Sequence, residues 1–479
     1  MIKCSDIITG EQASNLWSSS EYSGNNAWIF NATNGTLNNN NKMNGNSVRG
    51  SLDFDCEEEW FRQFVGLYSS LLDDYRDTRK HKRGKVSQLL FEFNLQRKLL
   101  PLCWSLLHME YIPQPSKCFP VVKPTLRQVI AAEFSDRIPQ TRLVKRLMPV
   151  LEGYFFLPNS YSCRKGKGAL AAVRQLMENI KHETRLFTIP AYIYKFDIRG
   201  FFMSLDPDVF YPVVVDIIER HFTGRERDEN LYLARVIYLS LPQDHCIKTG
   251  DPLILQSIPE RKSIIGKTVG FPLGNTTSQT ICLVATTLIL RIIDKFYIPS
   301  VLYTDDDCGV VTDTANFMKV MAYLKKEIKE RYRLEIHPDK FYLQYYKKTV
   351  NFLGFKVKYG RLLLPGNRLV HGFKWRVACA MRKAELRPNY IFKAKESFVG
   401  AMCSYLGLLC HTASYNLRKQ QMELLMTSRW GKVLDVDREN YSKVWIREEY
   451  TVKAYYKTLN RKRKQQLKKY YHELTAIAA

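Results

Sequence analysis

The spacing of apolar residues along the 479-residue chain changes from one region to the next. From Trp60 to about His108, apolar residues recur every three to four positions, which predicts amphipathic helices. The stretch "CFPVVKPTLRQVIAAEF" then predicts a strand, a turn and a second strand. A mixed region of helices and strands follows to about Gly360, and the chain from about Arg368 is again helical in pattern. The pattern therefore predicts a chain with both helices and sheets.

Two of the predicted strands lead into acidic residues. In "AYIYKFDIRGFF" aromatic residues alternate with other types, which predicts a strand that ends at Asp197. In "SVLYTDDDCGVVTD" apolar flanks surround an acidic centre, which predicts a β-hairpin with Asp305 and Asp306 at its tip. Acidic hairpin tips are also common as solvated turns, so neither stretch alone indicates a functional site. The two stretches together, in this order, do indicate one.

Adjacent carboxylates at a tight turn repel each other, and packing gives no reason to place them there. Divalent cations provide a reason, because carboxylate oxygens are the ligands that such hard cations prefer. Two cations about 3.5–4 Å apart can stabilise both the attacking and the leaving oxygen of a phosphoryl displacement. The two acidic stretches therefore predict a site for phosphoryl-transfer chemistry.

Between the two acidic stretches lies "GFPLGNTTSQ", Gly270 to Gln279, which precedes a strongly apolar stretch. Its glycines and proline predict a turn whose backbone can approach a flat ligand closely. We expect Thr277 and Ser278 to cap the following helix and Gln279 to project from its first turn. The alternative is an ordinary capped loop.

An aspartate at a strand end, a Gly/Pro loop that enters a helix, and a Tyr-x-Asp-Asp hairpin occur in this order in reverse transcriptases. Residues 60 to 365 resemble the fingers and palm of that family. The resemblance implies an α+β right-hand polymerase fold, with an antiparallel sheet plus helices in fingers and palm and a helical, basic thumb. The expected domains are a disordered Asn-rich leader at 1–50, a helical region at 51–115, fingers and palm at 116–365, and the thumb at 366–479.

The resemblance also implies roles for individual residues. Two Mg²⁺ ions are expected on Asp197, the carbonyl of Ile198, Asp305 and Asp306. Lys340, in "LEIHPDK", matches a lysine that protonates the leaving pyrophosphate as a general acid.

Other residues match positions that contact nucleotide or primer. Phe202 matches the steric gate that excludes a ribose 2′-hydroxyl, and "VNFLGF" matches the primer grip. The residues expected at the incoming nucleotide are Lys123, Arg127, Phe202, Gly274, Ser278 and Gln279. Those expected in the primer grip are Phe352, Leu353 and Gly354. One departure is Asp307, which stands where the family usually has an apolar residue and which we expect to face solvent.

The chain carries 72 Lys and Arg against 47 Asp and Glu, a formal net charge of +25. Such an excess concentrates polyanions at the surface, so nucleic acid is the expected partner rather than a surface charged only for solubility. The expected partners are structured template RNA, its cDNA and dNTPs. The basic residues near the end that we expect to contact nucleic acid are Arg461, Lys462, Arg463, Lys464, Lys468 and Lys469.

Cysteine usage and hydropathy predict a cytoplasmic protein that does not contact a membrane. Eleven cysteines are scattered without a CxxC pair, which favours a reducing compartment. The first residues lack the pattern of a signal peptide. The apolar run Thr280 to Leu290 is too short to span a bilayer.

Within the reverse transcriptases, the ending Ser278-Gln279 resembles enzymes of diversity-generating retroelements. The stretches "SYSCRKGKGALAAVRQL" and "YRDTRKHKRGK" with "FEFNL" agree with that group. The resemblance implies cDNA copied from a template repeat with errors opposite adenine, which then diversifies a target gene. It also implies a small basic accessory protein, an oligomer in such elements, for which the helical region 55–110 is a possible docking surface.

The Asn-rich leader fits the same group. Asn codons, AAC and AAU, place adenine at positions where mutation reaches many residues without a stop codon. We therefore interpret residues 1 to 50 as a template repeat translated in frame with the enzyme, and a plain Asn-rich disordered tail is the alternative.

Three functions remain open from the sequence. The first is mutagenic RNA-directed DNA synthesis. The second is a defence-associated or other bacterial reverse transcriptase, and the third is an RNA-binding scaffold that does not polymerise. Intact Asp197, Asp305, Asp306 and Lys340 favour an enzyme over a scaffold.

Overall fold

We analysed a computed structural model, which describes residues 15–23, 26–31, 36–41, 59–80, 85–122, 125–387, 389–451, 460–461 and 465–466. Helices and sheets are both extensive, so the predicted α+β class is confirmed. The chain forms two compact units. The first is drawn from Met1–Gly168, Lys195–Asp307 and Asp313–Tyr342, and the second from Ala169–Tyr194, Cys308–Thr312 and Leu343–Ala479. The predicted domain boundaries stay predictions.

Three helices lie where the apolar spacing predicts helix: α1 (Glu59–Thr78), α2 (Val86–Phe93) and α3 (Leu95–Leu107). The buried face of this region includes Tyr68, Leu71 and Leu99, each of which is fully buried. The chain turns at Asn94, whose N–H donates to the carbonyl of Phe91 at 3.1 Å. Burial of the apolar face accounts for the formation of these helices.

The predicted strand, turn and strand are confirmed as β4 (Lys117–Val121) and β5 (Arg127–Ala131), which pair antiparallel. A short strand, β7 (Ile247–Lys248), extends this sheet in parallel with β4.

The first unit contains further helices. They are α4 (Arg137–Val150), α6 (Phe201–Ser204), α7 (Pro207–His221), α8 (Gly224–Tyr238), α9 (Pro252–Gln256), α10 (Thr276–Asp294) and α11 (Thr314–Tyr332); α5 (Ala169–Glu183) belongs to the second unit.

Helix α10 is the one helix among the described residues that is long and apolar enough to cross a bilayer. It has 19 residues, more than the apolar run considered in the sequence, and 78% of its most apolar window is buried inside the protein. A core helix passes the same test of length and hydropathy. Helix α10 packs as the central helix of the first unit.

A four-stranded sheet has the order β10 (Tyr342–Tyr345), β6 (Tyr192–Asp197), β9 (Asp306–Val311), β8 (Ser300–Tyr303). Strand β6 ends at Asp197, as the alternation predicts. Strands β8 and β9 form the predicted hairpin. Gly309 in β9 is required by packing, because an added Cβ would lie 2.5 Å from the ring of Tyr194.

The second unit contains a three-stranded sheet and a helical bundle. The strands are β11 (Val350–Phe352), β12 (Phe355–Lys358) and β13 (Leu362–Pro365), and the helices are α12 (Asn367–Leu386), α13 (Tyr390–Leu409) and α14 (Tyr415–Thr427). The core of the bundle surrounds Trp430, which is fully buried and donates its indole N–H to the Ala380 carbonyl at 3.0 Å. A small sheet of β14 (Leu434–Val436) and β15 (Val444–Ile446) completes this unit and has no counterpart in the sequence prediction.

The leader was expected to be disordered, and its described residues differ from that expectation. Three strands, β1 (Asn15–Ser23), β2 (Asn26–Asn31) and β3 (Thr36–Asn41), form an antiparallel sheet. Trp17 pairs with Ile29 and Trp28 with Asn39. Ladder hydrogen bonds come from the backbone, so Asn-rich segments can join strands that contain Trp, Ile and Phe.

Candidate active site

Three separate segments meet at the end of strand β6. The N–H of Ile198 donates to the carbonyl of Asp305 at 3.0 Å, which joins the end of β6 to the turn between β8 and β9. The N–H of His337 donates to the carbonyl of Asp197 at 2.7 Å, which joins the same end to the segment that contains Lys340. Residues distant in sequence are thus held together by backbone hydrogen bonds.

The turn between β8 and β9 contains Thr304 and Asp305. Thr304 has φ of 59°, a left-handed conformation that costs a β-branched residue about 1–3 kcal/mol. The buried hydroxyl of Thr286 in α10 donates to the Cys282 carbonyl of its own helix at 2.6 Å and lies 3.4 Å from the Thr304 carbonyl. Helix α10 therefore packs against the strained turn that presents Asp305.

Two lysines neutralise the carboxylates of this group. Lys340 forms an ion pair with Asp197, and Lys195 forms one with Asp306 at 3.1 Å. The hydrogen bond to Asp197 and the nearby charges of Asp305 and Asp306 raise the pKa of Lys340 above its ordinary value.

The ionisation of Asp305 is perturbed by its surroundings. Burial, followed by the negative charges of Asp197 and Asp306, raises the pKa of Asp305 to about 6. Each of these causes disfavours the ionised form of Asp305. A cation that entered this group of carboxylates would favour that form.

The carboxylate oxygens of Asp197, Asp305 and Asp306 fit the ligand chemistry of Mg²⁺. In the described part of the chain, no three His, Cys, Asp or Glu side chains are close enough together to form a preassembled metal site. The lysines at Asp197 and Asp306 hold those carboxylates instead. These carboxylate oxygens suit Mg²⁺ as ligands. Lys340 and Lys195 would have to move away from Asp197 and Asp306 before an ion could bind there.

The expectation for Asp307 was wrong. Its side chain is fully buried, whereas the sequence analysis expected it to face solvent. The physical reason is that every residue of β9 from Asp307 onward is buried, so both faces of this strand are covered and a side chain next to the turn is covered as well. The assignment of Asp305 and Asp306 to the hairpin tip is unaffected, because Asp305 occupies the turn itself.

The Gly/Pro loop is joined to the segment that follows Asp197. Phe271 donates its N–H to the carbonyl of Phe202 at 2.8 Å, and Gly270 donates to that of Leu205 at 2.8 Å. Gly270 has φ of +101°, and an added Cβ would lie 2.5 Å from a methyl carbon of Ile264. Only glycine permits this close approach.

The predicted helix caps were wrong. Asn275 occupies the N-cap of α10, whereas Thr277 and Ser278 lie inside the helix and are buried. The side-chain oxygen of Asn275 accepts from the N–H of Ala132 at 3.2 Å, which joins the loop to the end of strand β5. An Asn just before a Thr-rich helix start is a common N-cap signal, which the sequence analysis missed. Gln279 lies in the first turn of α10 and is exposed, as predicted.

Lys195 was also missed by the sequence analysis. Side chains two apart in a strand share a face, so the predicted strand already placed Lys195 on the face of Asp197. A cation on that face, two residues before a predicted metal ligand, was a usable signal.

The other residues predicted at the nucleotide are placed as follows. Phe202 lies in α6 and is half-buried, with its ring 6.1 Å from that of Phe201. Gly274 has φ of +117° and packs against Val129 of β5. Arg127 begins β5, and its Nε is buried without a hydrogen-bond partner among the described residues. Lys123 lies outside the described residues.

The predicted primer grip belongs to the second unit. Leu353 and Gly354 form a two-residue turn between β11 and β12, after the buried Phe352. Of the six basic residues predicted near the end of the chain, Arg461 is described and is exposed. The other five lie outside the described residues: Lys462, Arg463, Lys464, Lys468 and Lys469.

Among known proteins, the chain matches solved structures only. No family model and no curated protein matches the chain. Among solved structures, it is similar to telomerase from Candida albicans bound to a TWJ fragment of telomeric RNA, with 12% identity and a TM-score of 0.42 over 66% of this chain and 63% of that one. It is also similar to apo telomerase from Candida tropicalis, with 10% identity and a TM-score of 0.42 over 66% and 56%. The chain thus spans about three-fifths of the length of these structures. Likeness at this level carries no argument about activity, which must come from the site.

Proposed function

We propose that this protein is an RNA-directed DNA polymerase. One observation carries the proposal: backbone hydrogen bonds join the segments of Asp197 and Asp305, and the ammonium group of Lys340 lies on the Asp197 carboxylate. Carboxylates from two neighbouring strands beside a lysine are the groups that nucleotidyl transfer requires.

Each group has a distinct task in this proposal. Asp197, Asp305 and Asp306 would hold two Mg²⁺ ions, which would stabilise charge on the attacking and leaving oxygens. Lys340 carries a proton on Nζ at neutral pH, as any lysine does, and its hydrogen bond to Asp197 raises its pKa further. In this proposal it would donate that proton to the leaving pyrophosphate. Phe202, whose carbonyl is fixed by Phe271, would exclude a 2′-hydroxyl from the nucleotide site.

Replacement of one carboxylate tests the proposal. Asp305→Asn should reduce Mg²⁺-dependent cDNA synthesis on an RNA template by at least about 10³-fold, because the metal pair loses a ligand charge. RNA binding, measured by filter retention, should stay nearly unchanged. The control is Asp294→Asn at the exposed C-terminal end of α10, which should keep full activity. Synthesis within about tenfold of the wild type in Asp305→Asn would refute the assignment.

The finer proposal is that the cDNA is mutagenic and diversifies a target gene. It is supported by the Ser278-Gln279 ending and by the Asn-rich leader. A neighbouring gene should end in a near-copy of the codons for residues 15 to 50 that differs only at adenines. Sequenced cDNA should carry substitutions opposite template adenines. Accurate cDNA would instead support a defence-associated or other bacterial reverse transcriptase.

The leader gives an independent test of this finer proposal. A protein that lacks residues 1 to 50, supplied with full-length template RNA in trans, should still fold and synthesise cDNA at a similar rate. Recoding the Asn positions with adenine-free codons should remove the mutations at those sites. Aggregation of the truncated protein, or loss of its activity, would show that strands β1 to β3 are a structural part of the enzyme.

The basic segment near the end of the chain should contact the RNA backbone. Neutralising Lys462, Arg463, Lys464 and Lys468 should lower the salt dependence of RNA binding by about 3 units of the log–log slope, since each phosphate contact contributes about 0.7–0.9. An unchanged slope would mean that this segment is a solvated face. The accessory protein and the cytoplasmic location remain predictions.

A further inference from the structure

Part of the surface of the second unit is both basic and aromatic. Three segments form it, residues 181–192 from the end of α5 to the start of β6, residues 345–348 after β10, and residues 358–361 between β12 and β13. We call this surface the aromatic–basic patch. Its segments contain six Lys or Arg residues and one acidic residue, Glu183, so the patch has a strong excess of positive charge.

Contacts between side chains join the three segments. The buried ring of Tyr346 stacks on that of Phe187 at 6.3 Å between centroids, and its hydroxyl donates to the Phe187 carbonyl at 3.4 Å. The guanidinium group of Arg361 lies 5.4 Å from the centre of the Phe187 ring. The rings of Tyr345 and Tyr192 lie 5.9 Å apart. The patch is therefore one continuous surface, in which aromatic rings lie beside cations.

Backbone strain is concentrated in this patch. Arg185, Leu186 and Phe187 have φ of 47°, 59° and 69°, so three successive non-glycine residues are left-handed. Tyr359 has φ of 55°. These four are a third of the twelve non-glycine residues with positive φ in the described part of the chain. Such strain persists only where the surrounding structure holds it, and it is most common at functional sites.

Tyr359 lies in the turn between β12 and β13. The N–H of Arg361 donates to the Lys358 carbonyl at 3.3 Å, and the two central residues, Tyr359 and Gly360, both have positive φ. A turn of this kind favours Asn followed by Gly, because a bulky residue enters the left-handed region only at a cost. Tyr359 does not offset that cost by deep burial, since it is 49% exposed. An exposed ring at a strained position indicates a ligand for that ring.

The composition of the patch defines the class of ligand. The ammonium group of Lys358 lies 4.9 Å from the centre of the Tyr359 ring. Cations bind the phosphates of a nucleic acid, and aromatic rings stack on bases that are not already stacked in a duplex. The two together therefore suit a single strand. The exposed cations around the rings are Lys181, Arg185, Lys347, Lys348 and Arg361.

We propose that the aromatic–basic patch binds a single-stranded polynucleotide, with a base stacked on Tyr359 and phosphates on the surrounding cations. None of the residues predicted to bind metal, nucleotide or primer belongs to the patch, so it is a further nucleic-acid site. Template RNA and newly made cDNA share this chemistry, and the probes below distinguish them. Binding does not require synthesis, so the test separates this proposal from the proposed polymerase activity.

Binding is measured on the full chain in EDTA without dNTPs, by the fluorescence anisotropy of labelled strands. The probes are an oligouridylate, an oligothymidylate and an RNA duplex, each about 15 nucleotides long. Tyr359→Asn should weaken binding of a single strand at least about fivefold, because base stacking is lost, and should leave duplex binding unchanged. A larger loss for oligouridylate identifies RNA as the ligand, and a larger loss for oligothymidylate identifies cDNA. Unchanged binding of both single strands, or an equal loss for the duplex, would overturn the proposal.

Two further variants show whether the ring itself is responsible. Tyr359→Phe keeps the ring and should bind as the wild type does. Tyr297→Asn is the matched control, because Tyr297 is an exposed tyrosine with φ of 53° outside the patch. Asn adopts this backbone conformation readily, so both Asn variants should fold, which circular dichroism checks. A loss of binding in Tyr297→Asn equal to that in Tyr359→Asn would contradict a site at the patch.

The cations are tested through the salt dependence of binding. Lys347→Gln combined with Arg361→Gln should lower the log–log slope for the single strand by about 1.4 units, since each phosphate contact on a single strand contributes about 0.7. Lys326→Gln combined with Lys329→Gln removes the same charge from exposed positions of α11 and should leave the slope unchanged. An unchanged slope in the patch variant would show that these cations are only solvated, and the proposal would fail.

Photochemical crosslinking locates the strand directly. An oligouridylate that contains 4-thiouridine is irradiated on the wild-type protein, and the crosslinked peptide is identified by mass spectrometry. We expect the peptide that contains Tyr359 among the products, and its loss from the products in Tyr359→Asn. Crosslinks that lie only outside residues 181–192, 345–348 and 358–361 would place the strand elsewhere and overturn the proposal.

Discussion

Two β-hairpins of this protein have a turn that begins with a non-glycine residue at positive φ, but the surroundings of the two turns differ. The hairpin proposed to be catalytic (Tyr303–Asp306, here called the catalytic hairpin) and the hairpin predicted to be the primer grip (Phe352–Phe355, here called the grip hairpin) each turn through two residues. Each turn begins with a non-glycine residue in the left-handed region, Thr304 with φ of 59° and Leu353 with φ of 50°. The two turns are therefore under similar backbone strain, and they differ in what surrounds it.

The grip hairpin is stabilised by close packing. Gly354, with φ of 83°, accepts at its carbonyl from the N–H of Gly366 at 3.0 Å. The tip of the catalytic hairpin instead contains Asp305, whose ionisation is opposed by burial and by two neighbouring carboxylates. A turn that is well packed has a structural task, whereas a turn that concentrates unfavourable charge indicates a ligand that relieves it.

The largest effect on stability is expected where the grip hairpin is packed most closely. In Gly366→Ala the new Cβ would lie well inside van der Waals contact with the Gly354 carbonyl, so the backbone must shift. We expect a loss of about 2–3 kcal/mol in the free energy of unfolding, measured in urea. The matched control is Gly400→Ala in α13, where nothing lies within 4 Å and helix propensity predicts a gain of about 0.5–1 kcal/mol. Equal stabilities of the two variants would contradict this account of the grip hairpin.

At the catalytic hairpin, removal of charge should increase stability. Asp305→Asn in EDTA at pH 7 should gain on the order of 1–2 kcal/mol, after allowance for solvent screening. The pKa of Asp305 is raised to about 6, so the folded wild type holds its proton more tightly than the unfolded chain does. The contribution of Asp305 to stability is therefore full below about pH 4 and is lost as the pH rises through 6.

The pH dependence separates this effect from a general change of packing. The advantage of Asp305→Asn should shrink as the pH falls from 7 to 4, where the wild-type carboxyl is protonated as well. Asp306→Asn is the comparison, because it removes the ion pair with Lys195 together with the repulsion on Asp305, so its gain in stability should be smaller than that of Asp305→Asn. An advantage that is independent of pH would show that Asp305 is not destabilised by its charge.

Much of the site could be predicted from the sequence because its signals are local. The end of β6 at Asp197 follows from alternation within six residues, and the catalytic hairpin follows from its own apolar flanks. The burial of Asp307 could not be predicted in this way, because it depends on the parts of the chain that cover the two faces of β9. The ion pair between Lys195 and Asp306 likewise depends on contacts between segments about 110 residues apart in sequence.

The leader shows the limit of composition as a guide. Its Asn content predicts disorder, yet strand formers such as Trp17, Trp28 and Ile29 lie in segments that pair in the structure. Composition averages over these short segments, whereas strand pairing depends on their order.

The smallest change in the free energy of unfolding is expected when the backbone strain of each turn is relieved. Asn enters the left-handed region more readily than Thr or Leu, so each replacement should relieve part of the same strain. Thr304→Asn should gain about 0.5 kcal/mol in the free energy of unfolding, since Asn adopts the left-handed conformation at lower cost and the turn keeps its shape. Leu353→Asn should gain less, because Leu353 is half-buried and the loss of its apolar contacts offsets the relief of strain. Thr125→Asn, at an exposed position without positive φ, serves as the control and should change stability little. If Leu353→Asn gained as much free energy of unfolding as Thr304→Asn, the apolar contacts of Leu353 would contribute little to stability. That result would contradict the view that close packing stabilises the grip hairpin.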